Sequence, residues 1–193
     1  MGRGTLFALG DRRAIIAQRN SNDVVRVYAA VRVPLGTFDA IVEGEDLRAV
    51  VPQYFDGWAQ KLRALITAPD AKGFVVRPLW MLPSGHRWDT APGGRVTLLG
   101  DAAHLMVPFA GAGANLAMAD GAYLGLALAK ANTPYELSER VRDYESAMQE
   151  RAEQEWEVSM QNMDVFSSDS APAAAVEKMN ELMAGGGPPA ESQ

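Results

Sequence analysis

The sequence predicts a mixed α/β fold of the α+β kind, with strands gathered early and helices dominating later. Three observations carry this expectation. Apolar, β-branched runs separated by turn residues fill the first third of the chain. Helical periodicity takes over from about residue 114. Between these regions, a short apolar run ends on a Gly-Asp pair, the pattern of a buried strand that delivers a loop.

The elements follow in order. Thr5 to Leu9 and Ala14 to Gln18 flank Gly10-Asp11, a hairpin signal. Asn20 to Asp23 is a second turn cluster, and Val24 to Val33 is a third strand ended by Pro34. Short links make these three an antiparallel meander. Glu45 to Val51 opens with acids, which suits a helix N-terminus, and Pro52 predicts a kink or break there. A second helix is expected from about Trp58 to Ile66. Gly73 to Trp80 reads as a return strand with Pro78 near its end or on an edge. Arg95 to Leu99 reads as a buried strand. A helix over 114–131 places Leu116, Tyr123, Leu124, Ala127 and Ala131 on one side, with Gly121 and Gly125 as packing positions. Thr133-Pro134-Tyr135-Glu136 is a capping box with proline at the first helical position. It starts a long amphipathic helix whose stripe is Leu137, Val141, Tyr144, Met148 and Ala152. Ala171 to Met183 reads as one weak helix, and the Gly- and Pro-rich end beyond it as disordered.

Composition bounds the function. The chain has 193 residues, enough for one large domain or two small lobes. Its net charge of −6 disfavours nucleic acid and anionic membrane surfaces. With no cysteine there is no disulfide, thiolate chemistry or zinc ribbon. His86 and His104 are the only histidines, so no metal site is expected, and Ser84 and Ser138 lack a nucleophile-elbow context. The most apolar region, Val96 to Ala129, is interrupted by Asp101, His104, Asn115 and Asp120. No targeting segment or membrane span is expected, and the reading is a soluble, cytoplasmic protein.

The chemistry lies between Arg95 and Gly121. Gly100 allows close approach of another group. An ionised Asp101 only accepts hydrogen bonds, which suits the hydroxyls of a polyol. Pro108 stiffens the following loop. Gly111 and Gly113 permit unusual backbone angles and expose N–H groups just before a helix N-terminus, where negative charge is favoured. The segment therefore suits a ligand with a polyol near Asp101 and an electron-rich heterocyclic edge near Gly111 to Asn115, as in a reduced flavin. Close packing by small residues is the competing reading of the same pattern.

The run Gly100-Asp101-Ala102-Ala103-His104 … Pro108-Phe109-Ala110-Gly111-Ala112-Gly113-Ala114-Asn115 … Asp120-Gly121 resembles the second flavin motif of the FAD-dependent aromatic hydroxylases. These proteins share the para-hydroxybenzoate hydroxylase fold and include polyketide hydroxylases and tetracycline-inactivating enzymes. Looser likeness extends over Gly4 to Ala152. The resemblance implies a partial fold: residues 1–90 as the substrate-side antiparallel sheet with two helices, 91–166 as the second part of the FAD-binding domain including its last strand, and 167–193 as a flexible tail.

It also implies FAD as cofactor, held by Gly100, Asp101, Ala102, Pro108, Gly111, Ala112, Gly113, Ala114 and Asn115. NAD(P)H is the implied co-substrate, with O2 used to oxygenate a small organic substrate of aromatic or polyketide-like character. Trp80, Met81 and Phe109 are candidates to line its pocket. No side chain is named as catalytic, because the cofactor carries such chemistry. One departure stands out: the G-x-G-x-x-G that cradles the FAD pyrophosphate is absent. The alternative expectation is thus a truncated or split partner that binds FAD weakly, or only with a separate chain carrying the Rossmann half.

Overall fold

The structure is a computed structural model that describes residues 4–39, 47–67, 75–88 and 96–185. It contains strands β1 (Thr5–Gly10), β2 (Arg13–Arg19) and β3 (Val25–Val31). The helices are α1 (Leu47–Val50), α2 (Gln60–Thr67), α3 (Asp101–His104), α4 (Gly113–Ala129), α5 (Pro134–Phe166) and α6 (Ala171–Gly185). Among the described residues the architecture is mixed: helices with one small antiparallel sheet. The chain divides into two compact units, one formed by Met1–Pro78 with Asp164–Gln193 and the other by Leu79–Met163.

In the first unit, the expected meander forms in the order β1-β2-β3, antiparallel throughout. Its first turn sits one residue later than the Gly-X signal suggests. Gly10 pairs with Arg13, so Asp11 and Arg12 make the turn, with φ of 47° and 61°. Positive φ at both central residues is what the twist of a two-residue hairpin demands. The Arg13 guanidinium returns to Asp11 at 2.9 Å across this turn.

The register places Ala8, Ile15 and Ala29 side by side, and Leu6, Ala17 and Val27 beside them on the same face. That face is the core side: Ile15 is fully buried with Phe55 and Ile66, and Tyr54, Trp58, Leu62 and Leu65 pack around them. Pro52 acts as expected. The helix gives way at Val51 to a 3-10 turn running to Phe55, with Pro52 at its start, where a missing N–H costs nothing. The next helix begins at Gln60 rather than Trp58, leaving Trp58 free to set its ring edge-on against Phe55. Glu45, Glu43 and Asp46 lie outside the described residues. On the opposite sheet face, Phe7 meets Phe166 edge-on, and α6 runs beside β1 with Ala171 fully buried.

Two expected strands do not form over their described residues. Residues 75–80 carry no strand, and Val75, Leu79 and Trp80 are exposed; Gly73 and Phe74 lie outside the described residues. Residues 96–99 of the run Arg95 to Leu99, the expected last strand of the FAD-binding domain, are also unpaired, and Val96 and Leu99 face outward; Arg95 lies outside the described residues. A strand is a paired state, and no described segment offers either run a ladder. Instead Leu98 packs on the cluster of Ala103, Tyr144 and Met148, and the Thr97 hydroxyl donates to Glu145 at 2.7 Å.

Helix α5 behaves as its stripe predicts: Val141, Tyr144, Met148 and Ala152 are buried at i, i+3, i+7 and i+11. Helix α4 departs from expectation. Tyr123 is exposed rather than on the inner side, where Asp120 stands buried with Leu116. Gly121 and Gly125 are not packing positions, since a Cβ at either would meet nothing within 4 Å. No helix among the described residues is long and apolar enough to cross a membrane.

Candidate functional site

The site is built on the turn between Leu99 and α3. Gly100 has φ of 59°, in the left-handed region, and an added Cβ would stand 3.1 Å from the Ala117 Cβ. Both facts require glycine. The turn lies against α4, and a hydrogen bond holds it there: the Gly100 N–H donates to Asp120 Oδ2 at 3.1 Å. The Gly100 carbonyl in turn accepts from the N–H groups of Ala103 and His104, which starts α3. Asp101, the first residue of that helix, is left exposed.

His104 closes the arrangement. Its Nε2 lies 2.6 Å from the same Asp120 oxygen, and both side chains are buried. A carboxylate only accepts, so Nε2 carries the proton in this bond. Arg151 from α5 approaches the other Asp120 oxygen at 3.5 Å and stacks over Tyr123, with its guanidinium carbon 4.6 Å from the ring centre. Asp120 is thus a buried anion with two donors on one oxygen and a cation facing the other.

The loop after α3 is pinned by α5 through its backbone carbonyls. Ser159, fully buried, donates to the Val107 carbonyl, and Asn162 Nδ2 donates to the Phe109 carbonyl at 2.9 Å. Trp156 Nε1 donates to the Leu82 carbonyl at 3.0 Å, and Leu82 N–H donates to Leu105 at 2.9 Å. These anchors leave the far part of the loop open. Gly111 has φ of 69° and open space where a Cβ would be, and Gly113 has the same free approach. At the start of α4, the N–H groups of Gly113, Ala114 and Asn115 have no partner among the described residues.

The sequence-predicted residues therefore fall into three groups. Gly100, Asp101 and Ala102 form the turn against α4, with Asp101 and Ala102 exposed. Pro108, Gly111, Ala112, Gly113, Ala114 and Asn115 form the pinned loop and the open first turn. Trp80, Met81 and Phe109 belong to the same unit; Trp80 is largely exposed, and Met81 and Phe109 are half-buried.

Sequence reasoning missed Asp120, Ser159, Asn162 and Arg151 as supports. Asp120 was detectable: it is the single charged residue in the 17 residues of α4, and a lone carboxylate in an apolar helix needs buried partners. No local pattern marks Ser159 and Asn162, because their partners lie more than fifty residues away. No group of three or more metal-ligating side chains exists among the described residues.

The donor set fits a flavin: an exposed carboxylate for hydroxyls, and free amides at a helix start for an anionic ring edge. Residues 85–159, inside the second unit, match the family described as FAD binding domain. The chain is 31% identical to the chloroplastic zeaxanthin epoxidase of Oryza sativa subsp. japonica over 144 residues, covering 71% of this chain and 21% of that protein. It is 28% identical to monooxygenase penA of Penicillium thymicola over 213 residues, covering 88% of this chain and 49% of the relative. Notoamide E oxidase notB of Aspergillus sp. (strain MF297-2) is 41% identical over 75 residues, or 39% of this chain and 16% of that protein. The chain thus spans between about a fifth and a half of the length of these relatives where they match over most of it. These likenesses identify the chain as a member of the FAD-dependent, aromatic-hydroxylase-type monooxygenase family.

Proposed function

We propose that this chain supplies the flavin-closing part of a monooxygenase that uses FAD, NAD(P)H and O2 to oxygenate a small organic substrate of aromatic or polyketide-like character. The observation that carries the reading is the open first turn of α4, whose three free amides follow a left-handed Gly111 with nothing above it. Gly113, Ala114 and Asn115 would hold the electron-rich ring edge, and Asp101 the sugar-alcohol chain, with Gly100, Ala102, Pro108, Gly111 and Ala112 shaping the backbone between them. When bound, FAD supplies the redox chemistry: electrons from NAD(P)H and activation of O2. The protein's own part is to orient, to exclude water and to place positive potential where negative charge gathers. Trp80, Met81 and Phe109 would face the substrate. The same reading takes the whole as a partial para-hydroxybenzoate hydroxylase-type fold, with residues 1–90 as the substrate side, 91–166 as the flavin side and 167–193 as a tail, in a cytoplasmic protein.

A second reading is favoured by the surface of α4, where Met118, Tyr123, Leu126 and Leu128 are exposed beside the unpaired run 96–99. In it, this polypeptide alone binds FAD weakly and needs a nucleotide-binding Rossmann half, in a separate chain, to be active. Losing charge-assisted contacts to the pyrophosphate costs about 1.5–3 kcal/mol each, enough to lower affinity by orders of magnitude.

Titration of the purified chain with FAD, followed by flavin fluorescence, tests both readings. Saturable binding that weakens about tenfold or more in Asp101→Ala is expected. A chain that shows no saturable binding overturns the flavin-site reading. A chain that purifies yellow with stoichiometric flavin and oxidises NADPH in a substrate-stimulated way overturns the second.

A further inference from the structure

We propose that Asp120 is the positioning residue of the flavin site: it acts through Gly100 and His104 to set the turn that presents Asp101. This inference rests on the flavin reading above and deepens it.

The geometry leaves Asp120 no direct role. Its residue is fully buried, and one of its oxygens is occupied by both the Gly100 N–H at 3.1 Å and His104 Nε2 at 2.6 Å. His104 is nine-tenths buried and turned toward Asp120, so the pair is closed on itself rather than offered to a substrate. What the pair does control is the backbone on either side of Asp101. Gly100 precedes Asp101, and His104 ends the four-residue helix that Asp101 begins. Both ends of that short segment converge on one carboxylate oxygen.

The left-handed Gly100 turn needs such a clamp. Its φ of 59° and ψ of −143° lie outside the conformations a chain adopts by default, and α3 is far too short to be stable by itself. Arg151 keeps the anion tolerable inside the protein by facing the second oxygen from α5, with its guanidinium carbon over the Tyr123 ring. Removing the carboxylate would leave a buried amide and a buried imidazole N–H without acceptors. The least costly relief is for the turn to swing out to water, carrying Asp101 with it.

Two measurements on the full chain test this. The first is amide hydrogen exchange followed by NMR, which needs no cofactor. The Gly100 amide should be protected in the wild type and exchange at least about tenfold faster in Asp120→Ala, relative to the amides of α5. Asp120→Asn keeps an acceptor at the same place and should restore most of that protection, whereas Asp101→Ala should leave Gly100 protected. The second is FAD titration. Asp120→Ala should weaken binding by about the same factor as Asp101→Ala, and the double variant should lose little more than either alone, because both remove the same contact.

Met148→Ala provides the structural control. It opens the neighbouring core at Tyr144 and Ala103, and should lower the melting temperature without changing FAD affinity in the folded protein. Should Asp120→Ala fail to fold, His104→Ala removes the other half of the clamp and is read in the same two ways. Unchanged exchange at Gly100, or full additivity of the Asp101 and Asp120 losses, overturns the proposal. A wild-type chain that binds no FAD overturns the flavin reading instead, and exchange at Gly100 then decides by itself whether Asp120 holds the turn.

Discussion

At the residue scale, the best-defined electrostatic consequence belongs to Tyr144. Its hydroxyl is buried between the Leu98 carbonyl at 3.5 Å and the Met148 sulfur at 3.4 Å, and burial, aided by the negative charge of Asp120, pushes its pKa from 10.0 up to about 12. A phenol with a raised pKa in the folded state holds its proton where the unfolded chain has lost it. Its contribution to stability is therefore complete below pH 10 and is lost as pH rises from 10 toward about 12. Melting temperatures measured across that window should fall in the wild type and fall less steeply in Tyr144→Phe. Equal slopes would show that another group governs the alkaline limit. Residue identity alone marked Tyr144 as core through its helical spacing, and it marked Asp101 as suited to a polyol because an ionised carboxylate only accepts hydrogen bonds. It did not disclose that Asp120 stands behind both, since the buried partner of a charge is a tertiary fact.

At the element scale, the legible features are those whose cause is local. The meander was readable because its turn residues and β-branched runs lie next to each other in sequence, although the turn itself moved to Asp11-Arg12. The start of α5 was readable for the same reason. Thr133 Oγ1 accepts from the Glu136 N–H at 3.2 Å, the first half of a capping box. The return half reaches one residue further back than the motif implies: Glu136 Oε2 accepts from the Asn132 N–H at 2.9 Å. That bond holds the Glu136 carboxyl below its ordinary pKa. Thr133→Ala should lower stability by about 1 kcal/mol, and a denaturant titration reads this directly. A null result would mean that water or Asn132 caps the helix equally well. Of the strands expected over Gly73 to Trp80 and Arg95 to Leu99, the described residues 75–80 and 96–99 form none, for the complementary reason. Apolar, β-branched composition describes a segment willing to pair, while pairing itself depends on a neighbour that composition cannot reveal.

At the scale of the whole molecule, α4 sets the problem. Its sequence is apolar nearly all round, a pattern that belongs to a helix covered on every side. Yet only Leu116 and Asp120 are buried, while Met118 is 67% and Leu126 is 55% exposed. Leaving such side chains in water forgoes about 1.5–3 kcal/mol each. The exposed positions 118, 122, 126 and 129 recur at helical spacing, so the face is one continuous strip rather than scattered residues. Gly121 and Gly125 leave open space along it, which allows another backbone to approach closely. In isolation, the chain should hide this strip by associating with itself or by binding an apolar dye. Replacing Met118 and Leu126 with glutamate should reduce both effects, measured by sedimentation and by dye fluorescence, while leaving the melting temperature within a few degrees, because neither side chain supports the core. A marked loss of folding in that double variant would show instead that the strip is already buried within the chain, and the case for a covering Rossmann half would fall with it.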